Sequence, residues 1–185
     1  MNFKNEKLIQ LRKSDKSKKG SYDRKISGLI KKINSSEDYY TTSSCAGRLL
    51  LIKELGKKSL NQILFFSHEG LSLNKLKKAL NQAIKNFGGL IYFKQEPCIL
   101  HVACSSLKKA EELLNKARNS GWKRSGIIAI KRIICEMVST EWIVLPIANK
   151  GKILLEDDYI KLALHEANKK LSKTWGKIRG LEKIF

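Results

Sequence analysis

Two rhythms of apolar residues alternate along this chain, a helical one and a strand-like one. Residues 3–13 form a weakly amphipathic candidate helix. Ser21 then offers an N-cap, and Tyr22, Ile26, Leu29, Ile30 and Ile33 recur at helical spacing over 22–34, with Asp23 in the first turn, where the dipole favours an anion. Short runs at 39–43, 48–53 and 63–67 read as strands. Ser72 caps a helix whose apolar face is Leu73, Leu76, Leu80, Ala83 and Ile84; Phe87-Gly88-Gly89 ends it and 90–94 reads as a strand. A second unit follows: a strand over 99–104, Ser106 as cap, a helical face of Leu107, Ala110, Leu113, Leu114 and Ala117, a stop at Gly121, and a strand over 126–130. Strands at 133–138 and 142–145 suggest a hairpin across Ser139-Thr140-Glu141, with Pro146 ending the run. A turn at Lys150-Gly151-Lys152 and a strand over 153–155 precede a long helix from about Asp157, striped by Ile160, Ala163, Leu164, Ala167, Leu171, Trp175 and Ile178. The succession predicts an α+β fold: a mixed β-sheet built from strand–helix–strand units and flanked by helices, including the long C-terminal one.

Length and charge narrow the class. The 185 residues suit one domain or two small lobes, and we take 1–185 as a single domain with a basic N-terminal segment over 1–35. A formal net charge of +20 exceeds what solubility needs and favours a polyanionic partner, nucleic acid foremost. Residues 4–32 hold eleven Lys/Arg against three acids, concentrated in Lys16-Ser17-Lys18-Lys19-Gly20. No apolar run is long enough to span a bilayer and no leader pattern is visible, so the expectation is a cytoplasmic protein away from membranes. The cysteines, Cys45, Cys98, Cys104 and Cys135, lack C-x-x-C pairing and read as reduced thiols. With three histidines and no clustered Cys/His set, no metal site is expected.

Candidate chemistry begins with Thr42-Ser43-Ser44-Cys45-Ala46-Gly47-Arg48, a turn between two strands that offers hydroxyls, backbone N–H groups and one fixed positive charge. Such a turn suits a carboxylate or phosphate; the plainer alternative is that Ser and Gly serve only its geometry. His68 follows a strand, Glu96-Pro97 precedes one that carries His101, and Ser125-Gly126 opens another after Gly121-Trp122-Lys123-Arg124. None of these is specific alone. Neither G-x-G-x-x-G nor G-x-x-x-x-G-K-[ST] occurs, which disfavours a dinucleotide enzyme or a P-loop NTPase.

Taken in order, the motifs resemble the tRNA wybutosine-synthesizing protein 3 family, from Asp15 to about Lys170. The matching runs are Asp15-Lys16-Ser17-Lys18-Lys19-Gly20-Ser21-Tyr22-Asp23, Thr41 through Arg48, Ser67-His68, Glu96-Pro97-Cys98-Ile99-Leu100-His101-Val102 and Ser120-Gly121-Trp122-Lys123-Arg124-Ser125-Gly126-Ile127. Lys123 stands where the family usually has arginine, and the order within 142–146 differs from the family's E-V-P-L run. The resemblance implies methyl transfer from S-adenosylmethionine to N4 of 7-aminocarboxypropyl-demethylwyosine, the base 3′ of the anticodon in tRNA(Phe).

On that resemblance Thr42, Ser43, Ser44, Gly47, Arg48, Glu96, Ser125 and Gly126 are assigned to the cofactor S-adenosylmethionine. His68, His101 and Asp23 are the candidate bases, in that order. Lys16, Lys18, Lys19, Lys123 and Arg124 are assigned to the anticodon arm of tRNA(Phe). Tyr39, Tyr40 and Trp122 are available to stack on a base, against core packing as the plainer reading. Two other classes stay open: a non-enzymatic RNA-binding module, and a regulator that binds another adenosine derivative.

Overall fold

The computed structural model describes residues 2–12, 23–54 and 62–185. Its elements are α1 (Phe3–Arg12), α2 (Ser27–Ser35), β1 (Tyr39–Cys45), β2 (Arg48–Lys53), β3 (Gln62–Ser67), α3 (Leu73–Asn86), β4 (Ile91–Glu96), β5 (Ile99–Cys104), α4 (Leu107–Asn119), β6 (Arg124–Ala129), β7 (Ile134–Val138), β8 (Ile143–Asn149), β9 (Lys152–Ile153) and α5 (Asp157–Ile184). They fall into two compact units. The first comprises residues 1–46, 98–140 and 174–185; the second comprises 47–97 and 141–173.

The α+β class holds, and the long C-terminal helix is present. The strands divide into two antiparallel sheets, ordered β1-β5-β7-β6 and β3-β2-β4-β8-β9, instead of joining in one mixed sheet. Both strand–helix–strand units exist, one per sheet. β5 and β6 run parallel to each other because each is antiparallel to β7, which lies between them. β3 and β4 are likewise parallel, with β2 between them. The helix of each unit therefore spans a strand from elsewhere in the chain, a pairing that local periodicity does not encode.

In the first unit, Leu100, Val102, Cys104, Cys135 and Met137 form one face of the sheet. That face packs with Ile26, which immediately precedes α2, and with Leu29, Ile30 and Ile33 of α2. Ala110, Leu113, Leu114 and Ala117 of α4 and Ile178 and Leu181 of α5 complete the cluster. α4 begins at Ser106, whose hydroxyl accepts from the Lys109 N–H at 3.2 Å. It ends in a Schellman turn: the Trp122 N–H donates to the Ala117 carbonyl, the Gly121 N–H to that of Arg118, and Gly121 takes φ +87°. Trp122 is fully buried and its indole N–H donates to the Lys177 carbonyl at 3.1 Å. Tyr39 and Tyr40 are also core residues. Tyr39 donates to the Lys109 carbonyl, and the Tyr40 hydroxyl is held by Arg132 and Glu6. None of the three rings is available to stack on a base.

In the second unit β2 is an inner strand, and Leu49, Leu50, Leu51 and Ile52 are all buried. Ser72 caps α3 through the Lys75 N–H, as expected. The 133–138 and 142–145 runs do not form a hairpin, because β7 and β8 belong to different sheets. Besides the antiparallel β2–β3 pair, the hairpins with short connections are β6–β7 and β8–β9. The second closes on Lys150 and Gly151, both at positive φ, the geometry a two-residue turn needs to match strand twist. Pro146 does not end its strand; it pairs with Tyr92 beside a register shift. The register shift at that point is the kind of irregularity in which a strand tolerates a residue without an N–H.

Candidate active site

Sheet register gathers part of the expected set in the first unit. Ser43 on β1 lies opposite His101 on β5, His101 lies opposite Glu136 on β7, and Glu136 lies opposite Gly126 on β6. Residues directly opposite one another share a face. This row therefore crosses the whole four-stranded sheet on the side away from the apolar core. His101 Nε2 and Glu136 Oε2 are 2.8 Å apart, with side chains 27% and 36% exposed. The Thr42 hydroxyl donates to the His101 carbonyl at 3.4 Å. A Cβ added at Gly126 would meet nothing within 4 Å, so the row ends in open space. Ser44 is half-buried on the same strand as Ser43. Ser125 donates its hydroxyl hydrogen to the Trp122 carbonyl at 2.6 Å, which leaves only its lone pairs for a ligand. Lys123 and Arg124 are exposed at the start of β6.

Asp23 does not sit in the first turn of α2, which begins at Ser27. Its carboxylate accepts the Ala46 N–H at 3.0 Å and so pins the end of the 42–46 segment. A carboxylate engaged in this way holds backbone in place, a role that a pattern 23 residues away does not reveal.

In the second unit Gly47, Arg48, His68 and Glu96 come together at one end of the sheet. Arg48 and Glu96 are paired across β2 and β4, and Arg48 Nε lies 2.7 Å from Glu96 Oε2. Leu49 pairs with Ser67, which places His68 on the other flank of β2; its Nδ1 is 3.3 Å from the Gly47 carbonyl. The ring meets Phe66 edge-on at 5.6 Å. Gly47 needs φ +87°, a conformation that favours glycine. Lys16, Lys18 and Lys19 lie outside the described residues. Glu136, the cross-strand partner of the candidate base His101, is a residue that sequence reasoning missed. Its one signal is position: between Cys135 and Met137, both buried, it must face the other side of the sheet.

The family whose description is Methyltransferase TYW3 matches residues 2–185. The chain belongs to this family. The tRNA wybutosine-synthesizing protein 3 homolog of Xenopus laevis is 37% identical over 178 residues, covering 92% of this chain and 69% of that protein. A tRNA(Phe) 7-((3-amino-3-carboxypropyl)-4-demethylwyosine(37)-N(4))-methyltransferase of Archaeoglobus fulgidus is 34% identical, covering 99% of this chain and 91% of that protein. A solved structure of a Pyrococcus horikoshii protein superposes with a TM-score of 0.87 at 32% identity, covering 98% and 93% of the two chains. The family match extends beyond the 15–170 span carried by the sequence motifs, taking in α1 and the end of α5. A methyltransferase of this family acts with a methyl donor. Among the described residues, no helix is long and apolar enough to cross a membrane.

Proposed function

We propose that this chain transfers a methyl group from S-adenosylmethionine to N4 of 7-aminocarboxypropyl-demethylwyosine in tRNA(Phe), a step of wybutosine synthesis. The observation that carries this reading is likeness over nearly the whole chain to proteins named for that reaction, at 34–35% identity. The residues present fit the donor. Its amino-acid end bears a carboxylate and an ammonium, and Arg48 with Glu96 offers one charge of each sign at one place. Gly47 adds a backbone turn without a Cβ at that end of the strand.

When bound, the donor supplies an activated methyl group: its carbon–sulfur bond breaks as the carbon–nitrogen bond forms, and sulfur keeps the electron pair. The chain's task is positioning. Arg48 would hold the donor's carboxylate and Glu96 its ammonium. Within the first unit, Thr42, Ser43 and Ser44 present hydroxyl groups along β1, and Gly126 leaves open space at the far edge of that sheet. A histidine accepts the proton that N4 gives up. Lys123 and Arg124, with Lys16, Lys18 and Lys19, neutralise phosphates of the anticodon arm.

The test incubates tRNA(Phe) bearing the demethylwyosine precursor with the protein and methyl-labelled S-adenosylmethionine, then analyses nucleosides. Label in the N4-methylated nucleoside is the expected result. A melting scan with S-adenosylmethionine, S-adenosylhomocysteine and ATP accompanies it. Stabilisation by ATP alone, or RNA binding with no stabilisation by any of the three, would overturn the proposal in favour of the regulator or the RNA-binding module.

A further inference from the structure

On β7, Cys135 and Met137 enter the core while Glu136 faces the open side. Its Oε2 sits 2.8 Å from Nε2 of His101, its cross-strand partner. An ionised carboxylate only accepts hydrogen bonds. The ring proton of a neutral His101 therefore sits on Nε2, and the lone pair is on Nδ1. Nδ1 has no hydrogen-bond partner among the described residues. The flanking members of the row, exposed Ser43 and side-chain-free Gly126, leave that face approachable. A carboxylate against one ring nitrogen fixes the tautomer, and it also stabilises the imidazolium that forms when the other nitrogen takes a proton.

We infer that Glu136 is a positioning residue for the proposed methyl transfer, holding His101 so that its Nδ1 receives the proton released from N4. The inference rests on the proposed function and selects His101 among the candidate bases. The proton balance closes. N4 exchanges its hydrogen for the methyl carbon, the proton moves to Nδ1, and the resulting imidazolium lies against the Glu136 carboxylate until solvent takes the proton.

The test uses the full chain, its Glu136→Gln and His101→Gln variants, and the double variant. Single-turnover methyl transfer is measured at saturating donor and tRNA, and S-adenosylhomocysteine affinity is measured by calorimetry. Glu136→Gln is expected to slow transfer on the order of 10- to 100-fold, with affinity for the analogue unchanged within about two-fold. In the His101→Gln background it should cause no further loss. Long-range proton–nitrogen NMR on histidine-labelled protein, assigned with His101→Gln, is expected to show the His101 proton on Nε2. A Glu136→Gln rate within about two-fold of the parent, an equal loss in both backgrounds, or a proton on Nδ1 would each overturn the inference. If the parent transfers no methyl group while His101 still carries its proton on Nε2, the proposed function is what fails, and the role in transfer falls with it.

Discussion

The Arg48–Glu96 pair gives a quantitative handle on the proposed donor site. The two residues are ladder partners, joined by a 2.7 Å contact through Nε, with side chains 30% and 27% exposed. Ion pairs at the surface contribute about 0.2–1 kcal/mol, and charge-assisted hydrogen bonds about 1.5–3 kcal/mol. Two side chains more than two-thirds covered, yet meeting through one nitrogen and not a two-pronged fork, belong near the boundary, at about 1 kcal/mol. A double-mutant cycle of Arg48→Ala, Glu96→Ala and both, followed by urea denaturation, should return a coupling of that size that shrinks with added salt. Binding should respond more strongly. If Arg48 takes the donor's carboxylate, Arg48→Ala removes a charge-assisted hydrogen bond of about 1.5–3 kcal/mol, a loss of roughly 10- to 150-fold in affinity. Calorimetry with S-adenosylhomocysteine reads that loss. 5′-Methylthioadenosine, which has no amino-acid end, serves as the control and should bind parent and variant alike. Equal weakening of both ligands would refute the reasoning, since Arg48 would then be supporting the site without contacting the carboxylate.

Three further outcomes follow from the described geometry. Burial raises the Tyr39 phenol to about 12, so the folded state keeps a proton that the unfolded chain loses above pH 10; stability is full below pH 10 and falls through the window up to about 12, and Tyr39→Phe should lessen that fall in alkaline melts. Cys98, Cys104 and Cys135 are buried and Cys45 is half-buried, so a thiol reagent should label Cys45 first in the native protein and the other three only on unfolding; fast labelling of Cys104 or Cys135 would contradict the packing. Gly121→Ala should cost about 1–3 kcal/mol in chemical denaturation, because an alanine is forced to φ +87°, whereas Gly126→Ala, open to solvent and at ordinary φ, should be nearly neutral for stability.

Local chemistry made much of the fold legible. Ser72 and Ser106 cap the helices expected of them because a hydroxyl at that position answers an orphan N–H within three residues. Gly121 ends α4 because only the left-handed backbone completes the Schellman turn. What escaped was pairing between distant segments. The runs that became β7 and β8 are adjacent in sequence with turn residues between them, yet the two strands belong to separate sheets. Asp23 has the look of a helix-start acid, but its carboxylate holds the Ala46 N–H. Candidate site residues were proposed only where a motif named them. Glu136 was not, because its importance comes from an imidazole 35 residues upstream, brought opposite by strand register.

The interleaving of the two units bears on synthesis. The first unit takes its opening strand and helices from residues 1–46, but Ile178 and Leu181, which complete its apolar interior, come from its final segment, 174–185. A nascent chain emerging from the ribosome leaves that interior incompletely covered until residues beyond 174 follow. During that interval the surface that Ile178 and Leu181 will cover stays open to water.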